Sequence, residues 1–358
     1  MAPSEMRTRP RWRRPALGLA ALVAATALLA LPRGAADAGP ATCSGDPNAI
    51  NDTQPVFGLA GKYALPSGTP AGLAVFAHGY RNSSASWVGH LTDAAQHGLV
   101  AVAVDYRGLG PGPDYRGWPA KAGGEDLVTA AQYFLQRCRA IHQVVLLGVS
   151  MGGNMSGLAV AADARRPHSR TPLWDYWIDV EGVTNWMETW AEATAAGKLN
   201  NAYADGARAD IEAEAGGTPP TAPNAYLSRD VLYRVPDIAA SRVKGVIVVH
   251  AAEDGLVPYD QSRETSTALR AARVATDVYT VLRRTDARDP GHEQTTLLGA
   301  AGFGAQDPFA GHAWEGSSTH IMMTTSLGRM YALFDPTAAK PSNREFVVDS
   351  QAGIVPRP

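Results

Sequence analysis

Continuous apolar runs alternate with amphipathic runs along most of this chain, and this alternation constrains the fold more than any other feature. Each apolar run carries hydrophobic residues at consecutive positions, as a strand does when both of its faces are buried. The predicted strands are Gly72–Ala77, Leu99–Val104, Gln143–Leu147, Trp177–Val183, Val243–His250 and Thr276–Leu282. The predicted helices include Trp87–His97, Glu125–Arg137 and Ser317–Phe334. Helices that separate buried strands cover both faces of a parallel sheet, so we predict a doubly wound, mostly parallel α/β fold.

One connection in this pattern is too long for an ordinary crossover. Residues 184–240 separate two predicted strands and hold acidic helical segments with Trp186 and Trp190, whereas such connections usually need about 2 to 6 residues. We predict a helical cap over the carboxyl edge of the sheet. The alternative is a surface insertion whose tryptophans belong to the core. The main domain is expected to span 43–335, with 336–358 as a C-terminal extension.

The first 38 residues have the pattern of a secretory signal peptide. Arginines are concentrated at the start, an apolar run follows at Ala16–Leu31, and Ala36-Asp37-Ala38 fits the small-residue cleavage rule. We expect cleavage near Ala38 and a secreted protein without a stable membrane anchor. An uncleaved anchor is the alternative, but the run is short for a span of about 20 residues. Arg13-Arg14 leaves twin-arginine export open beside the general secretory route.

Composition and motif content exclude several function classes. The formal net charge is −2 and no basic run occurs beyond the N-terminus, so no nucleic-acid partner is expected. Cys43 and Cys138 are the only cysteines, too few for a zinc ribbon. Because an exported chain meets an oxidising compartment, we expect a Cys43–Cys138 disulfide. The sequence lacks a phosphate-binding glycine motif and histidines at metal-ligand spacing, so we predict neither cofactor nor metal.

The segment Gly148-Val149-Ser150-Met151-Gly152 is the strongest chemical signal in the sequence. It lies between a predicted strand and a run of small residues typical of a helix. A serine at such a junction projects from the edge of the sheet when glycines on both sides allow a tight turn, and the helix N-terminus then points at the reacting centre. This arrangement predicts a nucleophilic Ser150. The alternative is an ordinary strand-to-helix turn.

With this turn in place, the chain from Leu59 to Asp335 resembles the α/β-hydrolase family. The family's oxyanion dipeptide is similar to His78-Gly79-Tyr80. Its D-x-R-G-x-G turn is similar to the segment Asp105-Tyr106-Arg107-Gly108-Leu109-Gly110. The resemblance implies an oxyanion hole made by the backbone N–H groups of Tyr80 and Met151. Each such donor contributes about a hundredfold to a thousandfold in rate.

The resemblance also implies a carboxylate and a histidine later in the chain. The family's acid loop is similar to the segment from Ala251 to Pro258. This similarity implies that Asp254 orients the histidine. Asp179 or Glu181, after the preceding strand, is the alternative acid.

The family places its base between the last strand and the last helix, where three histidines occur. His312, just before the predicted final helix, is favoured. His292 is the alternative base, and His320, within that helix, is a third and poorer choice.

These features predict an exported serine hydrolase that forms an acyl-enzyme on Ser150. A small-molecule ester is the favoured substrate. A peptidase of the prolyl-oligopeptidase or aminopeptidase type and an acyltransferase are the alternatives. A non-catalytic binding protein on the same scaffold is a further alternative, since fold alone does not determine function. The oligomeric state is left open by the sequence.

Overall fold

The computed structural model describes residues 43–110, 115–164, 171–198, 201–252, 254–282, 312–349 and 352–357. In these residues the strands form a ten-stranded sheet in the order β1-β2-β4-β3-β5-β6-β7-β8-β9-β10. The strands are β1 (Asn51–Asp52), β2 (Gly61–Ala64), β3 (Gly72–Ala77), β4 (Leu99–Val104), β5 (Val144–Val149), β6 (Tyr176–Val180), β7 (Gly245–Ala251), β8 (Thr276–Val281), β9 (Glu345–Asp349) and β10 (Gly353–Pro356).

The helices of the described residues connect these strands. They are α1 (Gln54–Phe57), α2 (Val88–Gln96), α3 (Ala120–Arg137), α4 (Met151–Asp163), α5 (Trp186–Lys198), α6 (Ala202–Ala215), α7 (Pro223–Arg229), α8 (Val235–Ser241), α9 (Tyr259–Ala271) and α10 (Ile321–Phe334). A short 3-10 turn, Ser84–Trp87, precedes α2.

Neighbouring strands from β4 through β9 pair in parallel, as the consecutive apolar residues predicted. The side chains of β3 alternate between two core layers. Leu73 and Val75 pack in the layer that contains residues of α3 and α4, whereas Ala74 and Phe76 pack in the layer that contains residues of α2 and α10. Both faces of the sheet are therefore covered, and the predicted doubly wound α/β fold is confirmed.

Some element boundaries differ from those predicted. The strand expected to reach Val183 ends at Val180, because Glu181 adopts a positive φ of 49° and turns the chain. The final helix begins at Ile321, so His320 is its N-cap rather than a residue within it, and its side chain accepts the N–H of Met322. Apolar periodicity locates a helix well, but it does not mark the capping residue.

The C-terminal residues, expected from the sequence to be an extension, add β9 and β10 to the sheet. β9 pairs in parallel with β8, and β10 returns antiparallel to β9. The ring of Phe346 stacks on Tyr279 with 4.5 Å between centroids, and Arg344 Nη2 lies 2.6 Å from Asp277 Oδ2. Contacts with β8, which is distant in sequence, thus hold this short segment in the sheet.

Residues between β6 and β7 form the helices α5 to α8, which we call the cap. Trp186, at the start of α5, is fully buried and lies 5.0 Å from the ring of Tyr226 in α7. Trp190 is half-buried and donates its indole N–H to Glu212 Oε1 in α6 at 2.8 Å. One tryptophan therefore belongs to the core and the other ties two cap helices together.

Cys43 and Cys138 form the expected disulfide. It joins the start of the described chain to the end of α3, across a sequence separation of 95 residues. Within the described ranges, no helix is both long enough and apolar enough to cross a membrane. The segment predicted to be a signal peptide, residues 1–38, lies outside them.

Candidate active site

Ser150 occupies the junction between β5 and α4, where it is the N-cap of the helix. Its backbone has φ 56° and ψ −121°, a conformation that non-glycine residues rarely adopt and that clusters at functional sites. The flanking glycines explain how so tight a turn is possible. A Cβ at Gly148 would lie 2.3 Å from the carbonyl oxygen of Gly152, and a Cβ at Gly152 would lie 2.1 Å from that of Ala77.

Asp254 and His312 meet at the same edge of the sheet. Asp254 follows β7, and His312 precedes α10. The Nδ1 atom of His312 lies 2.7 Å from Asp254 Oδ2, and both side chains are buried. Ser150 and His312 line one cavity together. The structure thus brings three of the predicted site residues together, although they are far apart in sequence.

Asp254 is ionised despite its burial. The N–H groups of Leu256 and Val257 donate to its Oδ1 at 2.7 and 3.0 Å, and His250 Nε2 lies 3.4 Å from Oδ2. Burial alone raises the pKa of Asp254, but the charge of His312 and the hydrogen bonds of both histidines outweigh it and hold that pKa well below its ordinary value. An ionised carboxylate accepts only, so the Nδ1 atom of His312 carries a proton that it donates to Asp254.

Glu181, the alternative acid of the sequence analysis, also lies beside the histidine. Its Oε2 is 3.4 Å from His312 Nδ1, farther than Asp254. Its carboxylate accepts the backbone N–H of Ala251 at 3.1 Å and, through a very short hydrogen bond, that of Ala313. Glu181 therefore fixes the backbone next to His312, while Asp254 makes the direct contact with the ring.

These three side chains also have the ligand types of a metal site. Glu181, Asp254 and His312 each offer a ligand atom within 4.8 Å of the others. The Nδ1 atom of His312 already donates its proton to Asp254, and a metal ion there would have to displace that proton. The donor set therefore fits a hydrogen-bonded pair better than a metal centre.

Asp179, the other alternative acid, makes no hydrogen bond to His312. It is fully buried in β6, and neither carboxyl oxygen has a hydrogen-bond partner among the described residues. A Cβ at Gly153 or Gly182 would lie 2.5 or 1.9 Å from Asp179 Oδ1, so the carboxyl packs against backbone under the N-terminus of α4. Burial raises its pKa to about 7.

Of the two predicted oxyanion donors, Tyr80 lines the same cavity as Ser150 and Met151 follows Ser150 in the chain. Tyr80 lines this cavity and ends the segment after β3, and Met151 is the first residue of α4. A Cβ at Gly79 would lie 3.5 Å from the Cβ of Ser150, so the turn before Tyr80 passes directly over the serine. The Tyr80 hydroxyl donates to Asp210 Oδ2 in cap helix α6 at 2.5 Å, which anchors this turn to the cap.

His78, in the same turn, has a structural environment. Its ring stacks on Tyr106 with 4.1 Å between centroids, and its Nδ1 lies 3.0 Å from the carbonyl oxygen of Gly79. Burial lowers the pKa of His78 to about 4. The ring is therefore neutral at physiological pH and supports the turn by packing.

Glu315 is a site residue that the sequence analysis did not identify. It is buried three positions after His312, and its Oε2 accepts the N–H of Gly79 at 2.7 Å while its Oε1 lies 2.7 Å from Ser86 Oγ. Burial raises the pKa of Glu315 to about 7, although its hydrogen bonds with Ser86, Gly79 and Asn82 oppose this. Its contact with Gly79 spans 236 positions, so no local pattern could reveal it.

The remaining candidate bases are placed differently. His320 caps α10, and His292 lies outside the described residues. His312 is therefore the candidate base whose contacts with a carboxylate and with the cavity of Ser150 can be described.

Residues 74–323 match the model of the alpha/beta hydrolase family. The chain belongs to this family. No curated protein sequence matches the chain.

Solved structures with a similar fold include peptidases and an enzyme of another hydrolase type. The acylaminoacyl peptidase of Pyrococcus horikoshii is 21% identical over 62% of this chain and 34% of its own, with a TM-score of 0.46. A puromycin-hydrolyzing peptidase of Mycobacterium tuberculosis is 20% identical over 78% and 38%, with a TM-score of 0.47. A putative dienelactone hydrolase of Klebsiella pneumoniae is 15% identical over 80% and 98%, with a TM-score of 0.49. The chain thus spans about a third of the length of the peptidase structures it resembles.

Proposed function

We propose that this protein is an exported serine hydrolase that cleaves a carboxylic ester through an acyl-enzyme on Ser150. The observation that carries the proposal is the 2.7 Å contact between His312 Nδ1 and Asp254 Oδ2, beside a cavity that His312 shares with Ser150. The strained backbone of Ser150 at the N-terminus of α4 supports the nucleophile assignment. Export rests on the sequence pattern of residues 1–38 and is part of the proposal.

The reaction follows from the positions of these side chains. His312 Nε2 removes the hydroxyl proton of Ser150 while Oγ forms a bond to the acyl carbonyl carbon, and Asp254 stabilises the imidazolium. The tetrahedral intermediate then collapses, the bond to the leaving alcohol oxygen breaks, and the proton on Nε2 passes to that oxygen. Water attacks the acyl-enzyme in the same way, which releases the carboxylic acid and restores Ser150.

The N–H groups of Tyr80 and Met151 are the proposed donors to the tetrahedral oxyanion. The Met151 N–H belongs to the first turn of α4, whose N–H groups have no partner within the helix. The dipole of α4 also favours negative charge at the N-terminus of the helix. Glu315 holds the turn before Tyr80 through Gly79. The two donors therefore come from segments that packing has already fixed.

An aminopeptidase is the second candidate, because a carboxyl group lies in the cavity under the cap. Glu192 of α5 lines a cavity that also contains Ser150, and burial followed by the charge of Glu188 raises its pKa to about 8. A substrate ammonium group would drive this carboxyl to ionise and would pair with it. Glu192→Gln would then reduce aminoacyl-anilide turnover while leaving the hydrolysis of simple esters near the wild-type rate.

The decisive experiment is active-site labelling with a fluorophosphonate. We expect a covalent adduct on Ser150 in the folded protein and none in Ser150→Ala. His312→Ala should lose roughly ten-thousandfold in kcat on p-nitrophenyl esters, whereas His320→Ala, with the substitution at a helix cap, should keep most of the activity. A folded protein that is neither labelled nor able to hydrolyse esters or aminoacyl anilides would instead be a binding protein.

A further inference from the structure

Ser150 lies between two cavities of different character. We call the first the cap chamber; its walls include alanines of α5 and α6 together with Val183, Leu256 and Val257. We call the second the histidine cleft; it is lined by His312, Trp314 and Asn82. Ser150, Tyr80 and Tyr203 line both cavities. An ester bound with its carbonyl carbon at Ser150 therefore has one part on each side.

The position of the base decides which part lies on which side. The proton taken from Ser150 must pass from His312 Nε2 to the leaving oxygen, which requires hydrogen-bond reach between them. His312 lines the histidine cleft and is absent from the described walls of the cap chamber. The leaving group must therefore lie in the histidine cleft, and the acyl group is directed into the cap chamber.

The size of the cap chamber limits the acyl group. About 60 Å³ of the chamber admits the centre of a water molecule, against about 220 Å³ of the histidine cleft. The cap chamber is therefore the narrower of the two cavities and suits the smaller part of the ester. A short acyl chain fits such a chamber better than a long one.

The walls of the two cavities are both mainly apolar, and they differ in the shape of their apolar side chains. The apolar part of the cap chamber wall includes four alanines and favours an unbranched aliphatic chain; these are Ala193, Ala196, Ala204 and Ala207. Thr189, Glu192 and Asn201 are polar residues of the same wall. Trp314 in the histidine cleft is 48% exposed, a large aromatic surface beside the base. Exposed aromatic side chains at a cleft favour a flat apolar ligand.

From these observations we infer that the substrate is an ester of a short, unbranched carboxylic acid with a larger aromatic or flat alcohol, the acyl chain entering the cap chamber and the alcohol the histidine cleft. This assignment rests on the proposed function, and it adds which cavity binds the acyl half of the ester and which binds the alcohol half. Ala196 and Trp314 are the residues through which it can be tested separately. Neither belongs to the proposed catalytic groups.

The test compares two ester series on the wild type and on matched variants. In a p-nitrophenyl series from acetate to dodecanoate, kcat/KM should be highest for the short acyl chains and decrease toward dodecanoate. Ala196→Leu fills part of the cap chamber, so it should lower kcat/KM for butyrate about 10- to 100-fold relative to acetate, the range for a few methylenes in an apolar pocket. Ala195→Leu, at the exposed neighbouring position of α5, should leave the acyl preference unchanged.

In the second series the acyl group stays butyryl and the alcohol changes from methyl to phenyl to naphthyl. Trp314→Ala should reduce the preference for naphthyl over methyl several-fold and leave the acyl preference unchanged. A change of alcohol preference in Ala196→Leu without a change of acyl preference would reverse the assignment. Hydrolysis that is independent of acyl length would overturn it while the proposed function stands, whereas loss of labelling at Ser150 and of all esterase activity would overturn both.

Discussion

Two buried carboxyl groups lie near the candidate active site, one beside His312 and one beside Gly79, and their pKa values are shifted in opposite directions. Asp254, on the histidine side, is ionised, because contacts with His312 and His250 outweigh the effect of burial on its pKa. Glu315, on the oxyanion side, has a pKa raised to about 7 by burial. Both are almost completely buried. The difference shows that hydrogen-bond and charge partners, and not burial alone, decide which carboxyl is charged.

The hydrogen bonds of Ser86 are consistent with a raised pKa of Glu315. Ser86 Oγ lies 2.8 Å from the carbonyl oxygen of Ser83 and 2.7 Å from Glu315 Oε1. A hydroxyl has one hydrogen, and a carbonyl oxygen can only accept. Ser86 therefore shares its one hydrogen between Ser83 and Glu315, so it stabilises the ionised form of Glu315 only in part.

The two charge states suit the proposed chemistry. Positive charge develops on His312, next to Asp254, whereas negative charge develops at the oxyanion, near the turn that Glu315 holds. A negative carboxylate beside His312 stabilises the developing positive charge, and a neutral carboxyl near the oxyanion does not repel the developing negative charge.

The largest effect is expected from Asp254→Asn. An amide in place of the carboxylate no longer favours the proton on His312 Nδ1, so kcat should fall by about ten-thousandfold. The measurement is kcat on p-nitrophenyl butyrate, with circular dichroism to verify folding. Glu181→Gln is the matched control: its Oε2 lies at 3.4 Å from Nδ1 rather than 2.7 Å, so its loss should be much smaller. A fall of less than tenfold in Asp254→Asn would show that Glu181 takes over the role.

Asp179 sharpens the comparison, because it is buried without any partner in the described residues. Its pKa is about 7 in the folded protein, against 3.8 for an unperturbed aspartate. The unfolded chain therefore loses this proton first, and the free energy of unfolding decreases as pH rises from about 4 to 7, then stays level. The asparagine of Asp179→Asn does not titrate, so this variant does not show the decrease in the free energy of unfolding that Asp179 causes.

Urea unfolding at pH 5, 6, 7 and 8 tests this expectation. The stability of Asp179→Asn relative to wild type should increase by roughly 1 kcal/mol per pH unit between pH 5 and 7 and then level off, since a full unit of pKa difference corresponds to about 1.4 kcal/mol. Parallel pH dependence of the two proteins would contradict a protonated Asp179.

Sequence patterns located much of the fold and of the candidate site, but not the contacts that distinguish the alternative residues. The sheet was predictable because buried parallel strands carry consecutive apolar residues, as in Leu99–Val104. Ser150 was predictable because its turn needs glycine on both sides. The role of Glu315 was not, because its partner Gly79 belongs to the other end of the chain and nothing local distinguishes this glutamate from a solvent-exposed one. The same reason applies to β9, because its place in the sheet depends on pairing with β8.

Glu315→Gln gives the smallest effect and the most direct test of the oxyanion side. As pH rises through about 7, Glu315 ionises in the wild type, and its negative charge opposes the one that develops on the oxyanion. In an effective dielectric near 20, the repulsion between the ionised Glu315 carboxylate and the oxyanion costs over about 1 kcal/mol. We therefore expect kcat/KM to decrease about tenfold toward pH 9. A glutamine can accept the N–H of Gly79, as Glu315 does, but it cannot ionise.

The variant should therefore match the wild type at pH 6 and exceed it at pH 9, and the pH profile of kcat/KM is the measurement. Glu125→Gln, at an exposed position of α3, is the control and should retain the wild-type profile. An alkaline decrease that persists in Glu315→Gln would mean that another group causes it. An equal loss of activity at every pH would mean that Glu315 acts only by positioning the turn at Gly79, since a positioning defect does not depend on the charge of residue 315.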